Sequence, residues 1–145
     1  MRARTRCGSL DIFYHQQVVL MTMPGSPCIY YGTEIAMEGG HDPDCRRTMP
    51  WAQMENGKFA AHQEFTKELI ALRKTYPQLR GERVIYHHDA SNPRLVCYDR
   101  PGDQETIRIY LNNTGKDIPL SADPLFTYKY ENGILKADGI LICRI

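Results

Sequence analysis

The chain has 145 residues, enough for one domain with a sizeable core or for one domain with an appendage. Its 18 basic and 17 acidic residues leave a formal charge of +1, which gives no reason to expect nucleic acid or an acidic membrane surface as a partner. A hydrophobic content of 42% with nine tyrosines excludes a disordered chain, and five cysteines without a Cys-x-x-Cys pair speak for a reducing compartment rather than a disulfide framework.

The opening "MRARTRCGSL" is basic but is not followed by a small-residue cleavage site. Ser9 is placed to cap a helix from about Leu10 to Met23, with Asp11 in its positive first turn and Pro24-Gly25 as its stop. Its second half, "VVLMTM", is apolar on nearly all sides and calls for neighbours on more than one face. His15, Gln16 and Gln17 interrupt the apolar run, which is too short and too polar to span a bilayer. The expected location is the cytoplasm, with no membrane partner.

"PCIYYG", from Pro27 to Gly32, has the pattern of a strand buried on both faces of a parallel sheet. Cys28, Cys97 and Cys143 fall in such strand-like runs and read as small buried apolar residues, and Tyr30 and Tyr31 read as core. No parallel partner for this strand is visible along the chain. Local pattern and available partners therefore conflict, and the expectation is that the chain is part of something longer.

A loop follows, "GGHDPDCRRTMPW", which crowds His41, Asp42, Asp44, Cys45, Arg46 and Arg47 between Gly39-Gly40 and Pro50. A metal site at His41, Asp42, Asp44 and Cys45 fits no common zinc spacing. Glu34 and Glu38 would share one helix face at four-residue spacing, and Trp51 is expected to anchor the loop's end by packing. From Lys58 to Tyr76, Ala61, Phe65, Leu69, Leu72 and Tyr76 recur on one helical face, with Arg73 and Lys74 at the negative end and Pro77 as the stop. Beyond it, "RVIYHH", "RLVCYD", "ETIRIYLNN", "LFTYKYENGILKA" and "GILICRI" alternate as strands between Pro-Gly, Asn-Thr-Gly, Asn-Gly and Asp-Gly turns. These predict a small antiparallel β-sandwich, with His87, His88 and Asp89 as turn residues at a strand end.

The stretch "GSPCIYYGTEIAMEGGHDPDCRRTMPW" resembles the α-amylase superfamily (glycoside hydrolase family 13), and most of all its neopullulanase, cyclomaltodextrinase and maltogenic-amylase group. The likeness is carried by Gly25, Pro27, Ile29, Tyr30, Tyr31, Gly32, Glu34, Gly39, Gly40, Asp42, Pro43 and Arg46, and "FTKELIALRKTYPQLRGE" continues it. The resemblance implies an α+β chain in which residues 1–78 are the last helix–strand–helix part of a (β/α)8 barrel, followed over 79–145 by a C-terminal antiparallel β-sandwich domain. It implies that Asp42 and Arg46 bind glucose hydroxyls, a guanidinium fork donating to adjacent hydroxyls and a carboxylate orienting the fork. A mutual salt bridge that only shapes the loop is the competing reading.

Glycoside hydrolysis needs two carboxyls at a fixed separation. The family takes these, and a third stabilising one, from the ends of the fourth, fifth and seventh barrel strands. "MRARTRCGS" resembles the text just after the last of them, with Arg2 at the family's arginine. No catalytic residue is therefore expected here, and no metal or cofactor. The implied function is that of the C-terminal part of an α-glucan hydrolase, inactive alone, whose longer parent binds α-glucan oligosaccharide. Self-association through an exposed barrel segment is a further expectation. The alternative is a non-catalytic structural or carbohydrate-binding β-sandwich module, with Tyr86, Tyr98, Tyr110, Tyr128 and Tyr130 as candidate sugar-stacking residues.

Overall fold

The computed structural model describes residues Met1–Ile145. Four helices, α1 (Ala3–Cys7), α2 (Leu10–Thr22), α3 (Trp51–Glu55) and α4 (Ala60–Thr75), precede six strands: β1 (Ile85–His87), β2 (Leu95–Pro101), β3 (Thr106–Asn112), β4 (Ile118–Pro119), β5 (Asp123–Glu131) and β6 (Ile134–Arg144). No helix is long and apolar enough to cross a membrane.

α2 begins as its sequence dictates: the Ser9 side chain accepts a hydrogen bond from the Ile12 amide at 3.1 Å, and Asp11 lies in the first turn. It is buried widely, through Phe13, Tyr14, Val18 and Met21 and also through His15, Gln17 and Thr22. α4 presents Phe65, Leu69 and Leu72 inward, while Ala61 at the start of the predicted stripe is exposed. Tyr14 and Phe65 stack at 3.9 Å, and Phe126 and Tyr128 of β5 meet this pair edge-on. One hydrophobic core therefore runs from α2 and α4 into Tyr98, Ile107, Ile109, Leu111, Ile140 and Ile142 of the sheet.

All strand pairs are antiparallel. They join one continuous sheet in the order β1-β2-β3-β6-β4, with β5 also on β6, instead of the two stacked sheets expected from the sequence. The physical reason is β6. Its residues 140–144 pair with β3 on one side and β5 on the other, and Ile134 and Leu135 pair with β5 again, across irregularities at Pro124/Phe126 and Tyr128/Tyr130. Cross-strand partners Tyr98, Ile109, Ile142 and Phe126 share the face that meets the helices. The opposite face carries Leu141 and Cys143, which form a smaller core with Leu135.

The predicted strand at Pro27–Gly32 does not form. The segment is extended to Tyr30 and then turns, because no neighbouring strand offers it a ladder. Only Ile29 packs against the main core; Cys28 is exposed, as are Tyr30 (51%) and Tyr31 (39%), so these three are not the buried residues expected. Among the other cysteines read as buried, Cys143 is buried and Cys97 half-buried.

Two arginines close the space where α2, α4 and the sheet meet. Arg73 donates from Nη1 to the carbonyls of Met21 (2.8 Å), Met23 (3.0 Å) and Leu79 (2.7 Å) and from Nη2 to Gly25 (2.6 Å). Its role thus exceeds that of a charge near a helix end. Arg100, fully buried, donates to the carbonyls of Thr22, Gln78, Leu79, Gly81 and Arg83. Burial draws the pKa of both guanidiniums down from their ordinary value.

Candidate functional site

The loop after the extended segment folds through two short 3₁₀ turns, Thr33–Ile35 and Asp44–Arg46. Its entry is fixed by the N-terminal residues. The Arg2 amide donates to the Gly39 carbonyl at 2.9 Å, and the Gly39 amide donates to Thr5 Oγ1 at 2.8 Å. A side chain at Gly39 would put a Cβ 2.9 Å from the Asp44 carbonyl oxygen, so glycine is needed for the close approach. Glu38 pairs with Arg4 at 3.3 Å, and Glu34 lies in the first 3₁₀ turn, which ends at Ile35, so the two do not share the helix face expected.

The charged residues sort into two ion pairs. Arg47 grips Asp44 with Nε at 2.6 Å and Nη2 at 2.8 Å, and Asp44 also accepts from the Gly40 amide at 2.5 Å. The hydrogen bonds from Arg47 and then from Gly40 hold the Asp44 carboxyl below the usual carboxylate range. Arg46 Nε sits 2.8 Å from Asp42 Oδ1, and both side chains remain largely in solvent, 70% and 62% exposed. The Arg46 amide donates to the Pro43 carbonyl at 2.9 Å, while its side chain has no partner besides Asp42 and stays mostly in solvent. The two candidate residues are thus brought together, and the pairing alone is compatible with either sugar contact or loop shaping.

The loop's back wall is aromatic. The Tyr30 and Tyr31 rings lie 4.6 Å apart, with the Arg2 guanidinium over them at 5.0 and 4.5 Å, and Tyr31 O–H donates to the Arg47 carbonyl at 2.9 Å. Arg2 is the residue that sequence reasoning passed over as a mere landmark. An arginine before a short helix has no periodic signal; only the tertiary fold places it beside Gly39. Trp51 does not anchor the loop: it opens α3 and is 64% exposed.

No group of three or more His, Cys, Asp or Glu residues is arranged to hold a metal ion. His87, read as a turn residue, ends β1 and lies 2.8 Å from Asp99 Oδ2; Arg108 grips the same carboxylate with Nε at 2.6 Å and Nη2 at 2.8 Å. Nor do the tyrosines of the sheet form a sugar-stacking platform. Tyr98 is buried and hydrogen-bonded to Thr22, Tyr128 donates to Asp11 at 2.8 Å, and Tyr130 donates to the Leu120 carbonyl at 2.9 Å. Tyr86 is the exposed one.

Comparison with known proteins gives this loop and sheet their context. No family model matches the chain. A cyclomaltodextrinase from Geobacillus thermopakistaniensis is 40% identical over 106 residues, covering 71% of this chain and 18% of the relative. A maltogenic α-amylase from Bacillus acidopullulyticus is 36% identical over 129 residues, covering 84% of this chain and 21% of the relative. The crystal structure of maltogenic amylase from S. marinus superposes with a TM-score of 0.78 at 32% identity, covering 94% of this chain and 20% of that one. The chain belongs to the α-amylase superfamily, glycoside hydrolase family 13. It spans about a fifth of the length of the curated relatives it matches. What the superfamily member shows here is a small α+β unit with an antiparallel sheet, matching the C-terminal region of these enzymes.

Proposed function

We propose that the chain is the C-terminal part of an α-glucan hydrolase of the cyclomaltodextrinase and neopullulanase type. The whole enzyme acts on α-1,4 bonds in maltodextrins, cyclodextrins or pullulan, and these 145 residues alone do not hydrolyse them. Residues 1–78 are the closing part of its barrel and 79–145 its C-terminal β domain. The relatives' names, cyclomaltodextrinase, maltogenic α-amylase and neopullulanase 2, support the substrate class. An intracellular maltogenic amylase from Bacillus subtilis, 39% identical over 117 residues, supports a cytoplasmic location.

Asp42 and Arg46 are the sugar-binding residues of this part. The observation that carries this assignment is the geometry of the pair: Arg46 is tethered through Nε alone and keeps its remaining donors in solvent. A guanidinium held in this way can donate two bonds to neighbouring hydroxyls of one glucose ring without losing its orientation.

The test has two arms. The purified chain, at high concentration with maltodextrin, cyclodextrin or pullulan, should release no reducing ends above buffer. In a longer enzyme carrying this loop, Arg46→Ala should lower kcat/KM for long substrates by about ten- to a hundredfold, and much less for the shortest ones. Equal losses at every substrate length, tracking a drop in melting temperature, would return the pair to a purely structural role.

A further inference from the structure

Arg2 is the buried arginine whose donors are not all paired. It is 5% exposed, and its Nη1 donates to the Tyr31 carbonyl at 2.6 Å. Nε and Nη2 are buried and make no hydrogen bond within the chain. Those two atoms form one edge of the guanidinium, the edge whose parallel N–H bonds match the two oxygens of a carboxylate. The same chain uses that edge in this way twice, Arg47 on Asp44 and Arg108 on Asp99, each with Nε at 2.6 Å and Nη2 at 2.8 Å. Buried charged donors without acceptors are destabilising and rare, so the exception asks for a partner.

The surroundings are shaped around this group. Glycines at 32 and 39 let the backbone close on it: a Cβ would stand 3.1 Å from Arg2 Nη1 at the first and 3.1 Å from Arg2 Cδ at the second. Of the acids in this loop, Asp44 is committed to Arg47 and the Gly40 amide, Glu38 to Arg4 and Asp42 to Arg46, and Glu34 makes no bond to Arg2 Nε or Nη2. The Tyr30 ring, half exposed, forms part of the cover and can rotate without breaking a backbone hydrogen bond.

We propose that the Nε–Nη2 edge of Arg2 is the seat of a carboxylate from outside these 145 residues, gripped bidentately beside the Tyr30 and Tyr31 rings. The carboxylate comes either as a free small acid or as an Asp or Glu side chain of other polypeptide. Because Arg2 also holds Gly39, its occupancy steadies the entry to the Asp42–Arg46 loop. The inference does not rest on the glucan reading, since sugar hydroxyls play no part in it.

The experiment follows the Arg2 Nε–H signal in ¹H–¹⁵N spectra of the whole chain. One arm adds sodium acetate, with sodium chloride at matched ionic strength as control. The other adds the capped peptide acetyl-Gly-Asp-Gly-amide, with its Asn counterpart as control. The expected result is a saturable shift of Arg2 Nε–H with Tyr30 ring signals moving alongside. Arg2→Lys, which keeps the charge but has no fork, should bind at least about tenfold more weakly. Tighter binding of the Asp peptide than of acetate assigns the carboxylate to polypeptide; equal or weaker binding assigns it to a free acid. The proposal is overturned by no Arg2 Nε–H shift with either probe, by an equal shift in chloride, or by full binding in Arg2→Lys. The wild-type titration decides the matter even where the Lys variant does not fold.

Discussion

The sheet and the segment from Pro24 to Arg47 are held by opposite means. Between Ile85 and Arg144 the backbone pairs with itself, and side chains fill the two faces. Between Pro24 and Arg47 the backbone bonds to itself only in local turns, and apart from the Arg2 amide on Gly39 it is tied down by side chains: Arg73 donates to the Gly25 carbonyl, Arg2 to that of Tyr31, and Tyr31 to that of Arg47. The amides of Cys28, Ile29, Tyr30 and Tyr31 donate to nothing within the chain. Strand formation is a property of neighbours rather than of sequence alone, and "PCIYY" has the composition of a strand without the neighbour.

Hydrogen exchange gives the largest contrast by which to break this comparison. Core amides of β3 and β6 should exchange only through global opening, while those of Cys28 to Tyr31 exchange at nearly unfolded rates. The gap should be at least about a thousandfold. α2 should behave like the sheet, because Phe13, Tyr14, Val18 and Met21 share its core. Fast exchange in α2 would show that helices and sheet are separate cooperative units despite their common core.

Next in size is Arg100→Ala. It removes the donors for the carbonyls of Thr22, Gln78, Leu79, Gly81 and Arg83 in a fully buried place. Each buried acceptor left unpaired costs about 1–3 kcal/mol, so a loss of about 3–5 kcal/mol in urea unfolding is expected even if several of them find water. Arg47→Ala, whose ion pair lies in solvent, should leave the unfolding midpoint nearly unchanged. A small effect at Arg100 would mean that side-chain-to-carbonyl bonds stabilise the junction far less than the ladder stabilises the sheet.

How much of this was legible depended on whether the signal was local. The Ser9 cap, the Phe65–Leu69–Leu72 stripe and the β2, β3 and β5 strands follow from periodicity and turn chemistry and form where expected, whereas the Asp138-Gly139 turn expected to divide the last two runs does not form and β6 continues through it. The Asp42–Arg46 ion pair, the competing reading to sugar contact, is present. Missed were features that need distant partners: Arg100 under α2, Arg2 against Gly39, and one sheet in place of two. Exposed Tyr30 and Tyr31 were misread for the same reason, since no strand of the chain pairs with their segment.

Asp99 offers a smaller test, on the sheet side. Burial raises its pKa, but the hydrogen bonds and charges of Arg108 and His87 outweigh this and leave the carboxyl below its usual value. With the folded pKa depressed, the ionised group stabilises the fold fully above the ordinary carboxyl range. That contribution is lost as pH falls below about 4 toward the folded pKa. Asp99→Asn should cost about 1–3 kcal/mol at neutral pH and flatten the acid limb of the stability profile. An unchanged acid limb would place the acid sensitivity of the sheet on other carboxylates.

The smallest expected effect is on the stability of Asp42→Asn and Arg46→Ala, and its smallness is informative. Exposed ion pairs contribute about 0.2–1 kcal/mol, and this pair lies at 2.8 Å with both side chains mostly in solvent. The loop is fixed by other contacts: Arg2 and Thr5 on Gly39, Asp44 on Gly40, and Tyr31 on Arg47. Each substitution should therefore shift the melting temperature by less than about 2 °C. If it does, any loss of activity on long glucans in a longer enzyme carrying the same substitution reports sugar contact rather than loop collapse. A drop of several degrees would show instead that the pair shapes the loop, and would put this segment closer to the sheet in the way it is held.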